Sequence, residues 1–167
     1  MIEPIPERLE RALSRTLAPS EQVFIKLRGA FKEALVCTSM RIIILKAGWM
    51  TGQLFGTGMF QCPYANVAGA QVNYRLLTGY FEISAGGMQS TPKSFWNNNQ
   101  GVSAAKSNEA AISLMVARFW NNDQGVSAAK APNCVTISGP RRAEVFRDAC
   151  TFIMERASRA SYSGNYR

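Results

Sequence analysis

The chain has 167 residues, 47% of them hydrophobic, a length for one domain with an appendage and enough apolar side chain to exclude disorder as the default. Histidine is absent, which removes Ser-His-Asp and Cys-His catalysis and most metal sites. The net charge of +8 admits anionic partners (lipid headgroups, nucleic acid or an acidic protein), against the plain alternative of a solvated basic surface.

Met1–Arg11 is charged and proline-bearing, with no apolar signal core. From Pro6 onward, Leu9, Leu13 and Leu17 recur every four residues until Pro19. This predicts a short amphipathic helix. Period-two alternation follows: Val23, Ile25 and Leu27 against Phe24, Lys26 and Arg28. Ala34–Thr38 and Arg41–Lys46 are two further strands, the second rich in β-branched Ile42, Ile43 and Ile44. The Gly- and Thr-rich stretch Trp49–Gly58 reads as a long hairpin loop, and its Gly56-Thr57-Gly58 as turn chemistry without a nucleotide cradle. Phe60–Tyr64 and Val67–Leu77 are strands, and Thr78-Gly79 is expected to turn into Tyr80–Ala85. Cys134–Ser138 is the last strand. Arg141–Ala160 then reads as a long helix with Phe146, Ala149, Ile153 and Ala157 on one stripe, flanked by Val145 and Phe152. The polar tail Ser161–Arg167 is expected to fray.

Short strands with tight turns and one terminal helix point to an α+β, mainly β architecture: a roll or barrel of two antiparallel sheets capped by the C-terminal helix. The expected organisation is an N-terminal helix in 1–20, the roll in 21–160 and a tail in 161–167. No stretch approaches about 18 uninterrupted apolar residues, so the chain is expected to be cytoplasmic and non-spanning. Cys37, Cys62, Cys134 and Cys150 form no C-x-x-C pair and read as free thiols in a reducing compartment, with no metal site and no cofactor.

Between the last two strands lies a tandem duplication. Phe95–Lys106 and Phe119–Lys130 differ only at Asn99 and Asp123, with a period of 24 residues. Two copies are too few for a solenoid. The second copy leads into the last strand, so the first is the insertion within 95–130. Between them, Ile112, Leu114 and Val116 alternate as in a strand, while Ala111, Met115 and Phe119 keep a helical spacing; composition weighs toward helix and both readings stay open. Phe95, Trp96, Ile112, Leu114, Met115, Phe119 and Trp120 are the candidate interaction residues, since exposed apolar groups of this kind need a partner surface. Ser103-Ala-Ala-Lys106 and Ser127-Ala-Ala-Lys130 match the S-x-x-K pattern of a serine nucleophile beside a lysine. The companion K-T-G is absent, so no catalytic residue is assigned and a non-enzyme is expected.

Lys26, Arg28, Lys32, Arg41 and Lys46 cluster on the first strands and are the candidate anion- or lipid-binding residues, against a solvated outer sheet face. The stretch Glu33-Ala-Leu-Val-Cys-Thr-Ser-Met-Arg41-Ile-Ile-Ile resembles the second and third strands of bacterial pleckstrin-homology domains. Pro63-Tyr64, Val67 and Leu77-Thr78-Gly79-Tyr80-Phe81-Glu82-Ile83 resemble later strands of that family. The resemblance covers Glu21–Ala160 less the insertion. It implies a non-catalytic binding or assembly domain that acts through protein–protein contacts, as a homo-oligomer or with a protein partner. It also implies, as the alternative, peripheral binding of an anionic membrane surface. Nucleic acid fits less well, because the basic residues are dispersed and no aromatic-basic recognition motif occurs.

Overall fold

In a computed structural model, the structure describes residues 1–48, 56–75, 77–86 and 131–164. Helix α1 (Glu7–Thr16) is followed by strands β1 (Val23–Arg28), β2 (Glu33–Thr38), β3 (Arg41–Ala47) and β4 (Thr57–Pro63). A 3-10 turn at Tyr64–Asn66 leads into β5 (Val67–Arg75), β6 (Thr78–Ala85), β7 (Cys134–Ser138) and helix α2 (Pro140–Gly164). The strands form two antiparallel sheets, β1-β2-β3-β4 and β5-β6-β7. Among the described residues they do not join into one hydrogen-bonded cylinder, and the arrangement is a roll of two sheets. Two bonds tie the sheets at a corner. The Ala30 N–H donates to the Thr136 carbonyl at 2.9 Å, and the Thr136 N–H donates to the Glu33 carboxylate at 2.6 Å. Gly29 makes that approach possible, because a Cβ there would lie 2.6 Å from the Val135 side chain and 2.9 Å from the Glu33 Cβ.

The first sheet is buried on both faces. Ile25, Leu27, Leu35, Cys37, Ile42 and Ile44 face the main core, where α2 supplies Phe146, Ala149 and Ile153. The alternate residues Ala34, Val36, Ile43 and Leu45 lie under Ile5, Leu9 and Leu13 of the N-terminal segment. This explains the unbroken apolar runs of β2 and β3, since a sheet covered on both sides loses the in-out alternation.

Several boundaries move. Thr78 and Gly79 do not form the turn: both belong to β6, and Arg75 already pairs with Thr78. Gly79 instead permits close backbone approach, because a Cβ there would lie 2.2 Å from the Asn73 carbonyl oxygen. Thr57 and Gly58, expected in a loop, pair with Ala47 and Lys46. The C-terminal helix continues four residues into the expected tail, to Gly164. The Phe95–Lys130 duplication and its seven candidate interaction residues lie outside the described residues. So do both S-x-x-K motifs and most of the expected hairpin loop after β3.

Candidate functional site

The five basic residues singled out on the first strands do not converge on one pocket. Period two sends Lys26 and Arg41 to the outer face of the first sheet, the face that α1 covers. Lys26 Nζ lies 2.7 Å from the Glu10 carboxylate of α1. Arg41 sits between α1 and the following loop. Its Nη2 donates to Glu21 at 2.8 Å and to the Thr16 carbonyl at 3.0 Å, and its Nε donates to the other Glu21 oxygen at 3.0 Å. The hydrogen bond from Arg41 holds the Glu21 carboxyl down at about 2, aided by the Thr38 hydroxyl and against the effect of burial. Lys46 points to the opposite face. It is buried, and its Nζ is 3.0 Å from the Glu33 Oε1, itself fully buried. Three of the five cations are therefore neutralised by carboxylates.

Arg28 and Lys32 remain exposed, at the end of β1 and in the β1–β2 turn, and neither makes an ion pair among the described residues. Lys32 takes φ 51°, and its carbonyl accepts from the Ala47 N–H at 3.0 Å, which fixes the turn against β3. Between them Phe31 is 47% exposed. This pairing of an exposed aromatic with two cations was not legible from strand alternation, because it depends on a turn. Nearby, Glu3 bonds the Arg28 N–H at 2.9 Å and pairs with Arg142.

The sheet edges differ in how they are finished. Along β1, the Met1 carbonyl accepts from Lys26 N–H and the Glu3 N–H donates to the Lys26 carbonyl, both at 2.8 Å. The β7 edge is occupied by Ala30 and the Glu33 carboxylate, as described above. Among the described residues, no strand lies along the outer edge of β4 or of β5. At nine residues β5 is the longest described strand, and its sequence Val-Ala-Gly-Ala-Gln-Val-Asn-Tyr-Arg carries a single charge, at the last position. Natural edges are ordinarily blunted by lysines, prolines or short length; apart from a register shift between Val67 and Gly69, β5 has none of these before Arg75.

Cys37, Cys62 and Cys134 are buried and Cys150 is half-buried; all four are free. Burial pushes Cys37 and Cys134 up to about 12 and Cys150 to about 11, which removes the thiolate needed for nucleophilic or redox chemistry near neutral pH. Among the described residues no group of three or more His, Cys, Asp or Glu stands close enough to hold a metal ion, and no helix is long and apolar enough to cross a membrane.

The four strands, three strands and following helix form the roll of two antiparallel sheets with a C-terminal helix that the sequence leads one to expect. Solved structures with a similar arrangement include the pleckstrin homology domain from Shewanella amazonensis, 20% identical over 50% of this chain and 75% of that one, with a TM-score of 0.38. Another is a duf1696 family protein with a pleckstrin-homology domain from Shewanella loihica, 17% identical over 52% of this chain and 76% of that one, also at 0.38. No family model and no curated protein matches the chain.

Proposed function

We propose that the chain is a non-catalytic binding domain that assembles through protein–protein contacts, with a second copy of itself added along β5. The observation that carries this reading is the long, nearly uncharged β5 edge, left without a strand among the described residues while the β1 and β7 edges are covered. Strand addition would extend the β5-β6-β7 sheet through main-chain hydrogen bonds, and α2 packs against β5. Light scattering on a size-exclusion column tests it. The wild type is expected to run as an oligomer, and Ala68→Lys with Asn73→Lys, which place two charges on that strand, are expected to shift it to monomer. A monomeric wild type sinks the proposal, as does an oligomer indifferent to both substitutions.

A second reading rests on Phe31. An exposed aromatic flanked by Arg28 and Lys32 suits the surface of an anionic membrane, where the ring enters the interface and the cations meet headgroups. Sedimentation with anionic vesicles at low salt is expected to pellet the protein, and Arg28→Glu with Lys32→Glu to abolish it. Binding that survives both changes places the contact elsewhere.

A further inference from the structure

At the other end of β2 from that turn, a cleft of about 370 Å³ opens between the β2–β3 turn, the 3-10 turn and α2. Ser39, Met40, Pro63, Tyr64, Arg156 and Arg159 line it. The size lies at the lower end of small-molecule sites.

Arg156 sets its chemistry. Its guanidinium carbon is 4.3 Å from the centre of the Phe24 ring, 5.0 Å from Phe152 and 5.9 Å from Tyr64. The guanidinium carbon thus lies over three aromatic rings, which exclude part of its water. The N–H groups lie in the guanidinium plane, and among the described residues none of them has a hydrogen-bond acceptor or a carboxylate partner. The other arginines that touch the body of the fold spend theirs: Arg41 on Glu21, and Arg142 on Glu3 and the Arg28 carbonyl. Its donors are left to water or to an anion entering the cleft, and a charge-assisted bond to an anion is the stronger of the two.

Arg159 adds a second guanidinium at the mouth. Its pair with Glu155 at 2.6 Å is largely solvent-exposed and therefore weak and exchangeable. The Ser39 hydroxyl accepts from the Gln22 N–H and keeps its own proton to donate. The Tyr64 hydroxyl is committed to the Thr38 carbonyl at 2.8 Å and does not take part. Arg156 and Arg159 are the charged residues that line the cleft. Its lip is apolar, formed by Pro63 and by Met40, which is 58% exposed.

We propose that this cleft binds a small amphiphilic carboxylate, with Arg156 as the fixed anion anchor, Arg159 as the mobile second donor and Met40 with Pro63 against the apolar stem. The apolar lip favours a carboxylate that carries an apolar stem over inorganic phosphate, which has none. This site is independent of the β5 edge and of the Phe31 turn.

Calorimetric titration of the full chain at low salt, with hexanoate as the probe and inorganic phosphate as the comparison, tests the assignment. Hexanoate is expected to bind saturably and more tightly than phosphate. Arg156→Gln is expected to weaken it by about tenfold, the loss of one charge-assisted contact. Met40→Asp, an exposed turn substitution that leaves the urea midpoint unchanged, is expected to weaken it by about threefold through like-charge repulsion. Failure of hexanoate to saturate, tighter binding of phosphate, or affinity unchanged in Arg156→Gln overturns the proposal. Should Arg156→Gln not fold, Met40→Asp carries the test, and unchanged affinity there has the same force.

Discussion

At the residue scale, the most informative side chains are charges that the fold has buried. Glu33 and Lys46 face each other across β2 and β3, at the corner where the two sheets meet. Glu33 also accepts the Thr136 N–H, so this carboxylate fixes the position of β7. Removing one partner leaves the other as a buried lone charge, which typically costs about 3–5 kcal/mol. Lys46→Met is therefore expected to lower the urea midpoint sharply, and adding Glu33→Gln to recover much of the loss; a single variant as stable as the wild type contradicts the pairing. Glu21 gives a pH signature. Its carboxyl is depressed in the folded state to about 2 from an ordinary 4.5. A depressed carboxyl contributes stability above its unfolded pKa, and that contribution fades as pH falls from about 4.5 toward 2. Arg41→Gln is expected to cost ~1–3 kcal/mol at pH 7, with the difference from wild type shrinking across that window. Chemical denaturation at pH 7, 4 and 2.5 checks it.

At the scale of elements, periodicity located the helices and β1 because their burial follows the period, while β2 and β3 were legible as unbroken apolar runs. The stripe Phe146, Ala149, Ile153 and Ala157 is buried as the 3.6-residue spacing requires, joined by Ala143. Phe146 meets Phe81 of β6 at a centroid distance of 5.6 Å, so it links the helix to the second sheet. Phe146→Ala is expected to cost about 3–5 kcal/mol, read as a loss in urea midpoint at unchanged slope. What periodicity did not reveal is which polar residues meet. The sequence places Lys26, Arg28, Lys32, Arg41 and Lys46 within two hairpins, and proximity suggests a pocket. The partners of Lys26 and Arg41, Glu10 and Glu21, come from α1 and the α1–β1 loop, so that neutralisation is tertiary, while Glu33 lies opposite Lys46 within the β2–β3 hairpin. The outer face was legible as basic, and its cover by α1 was not, because Leu9 and Leu13 do not declare which surface they bury. The Arg156 cleft was equally hidden: an arginine on a polar helix face acquires its meaning from Phe24 and Tyr64, both distant in sequence.

For the whole molecule, the question is how much chain the fold needs between β6 and β7. These strands pair antiparallel, Thr78 with Ser138 through Glu82 with Cys134, so β6 ends beside the start of β7. The Asn133 side chain donates to the Ile83 carbonyl at 2.8 Å, and the Ile83 N–H donates back to the Asn133 carbonyl at 3.1 Å, which fixes the entry to β7 within the described residues. Such a junction needs only a hairpin connection, whereas the chain supplies residues 86–133, in which a 12-residue stretch recurs with a period of 24. Deleting 95–118 joins Ser94 to Phe119, keeps one copy and leaves every described contact in place. Halving a connection of this kind lowers its closure cost by about 0.6 kcal/mol. The deletion variant is therefore expected to fold with a urea midpoint at or slightly above wild type. Its oligomeric mass then separates two contacts. If copies meet along β5, the number of protomers is unchanged by the deletion. If association is lost while the fold persists, the contact runs through the duplicated segment, where Trp96 and Met115 lie, and the β5 edge is not the assembly surface. A variant that fails to fold makes the extra repeat part of the core.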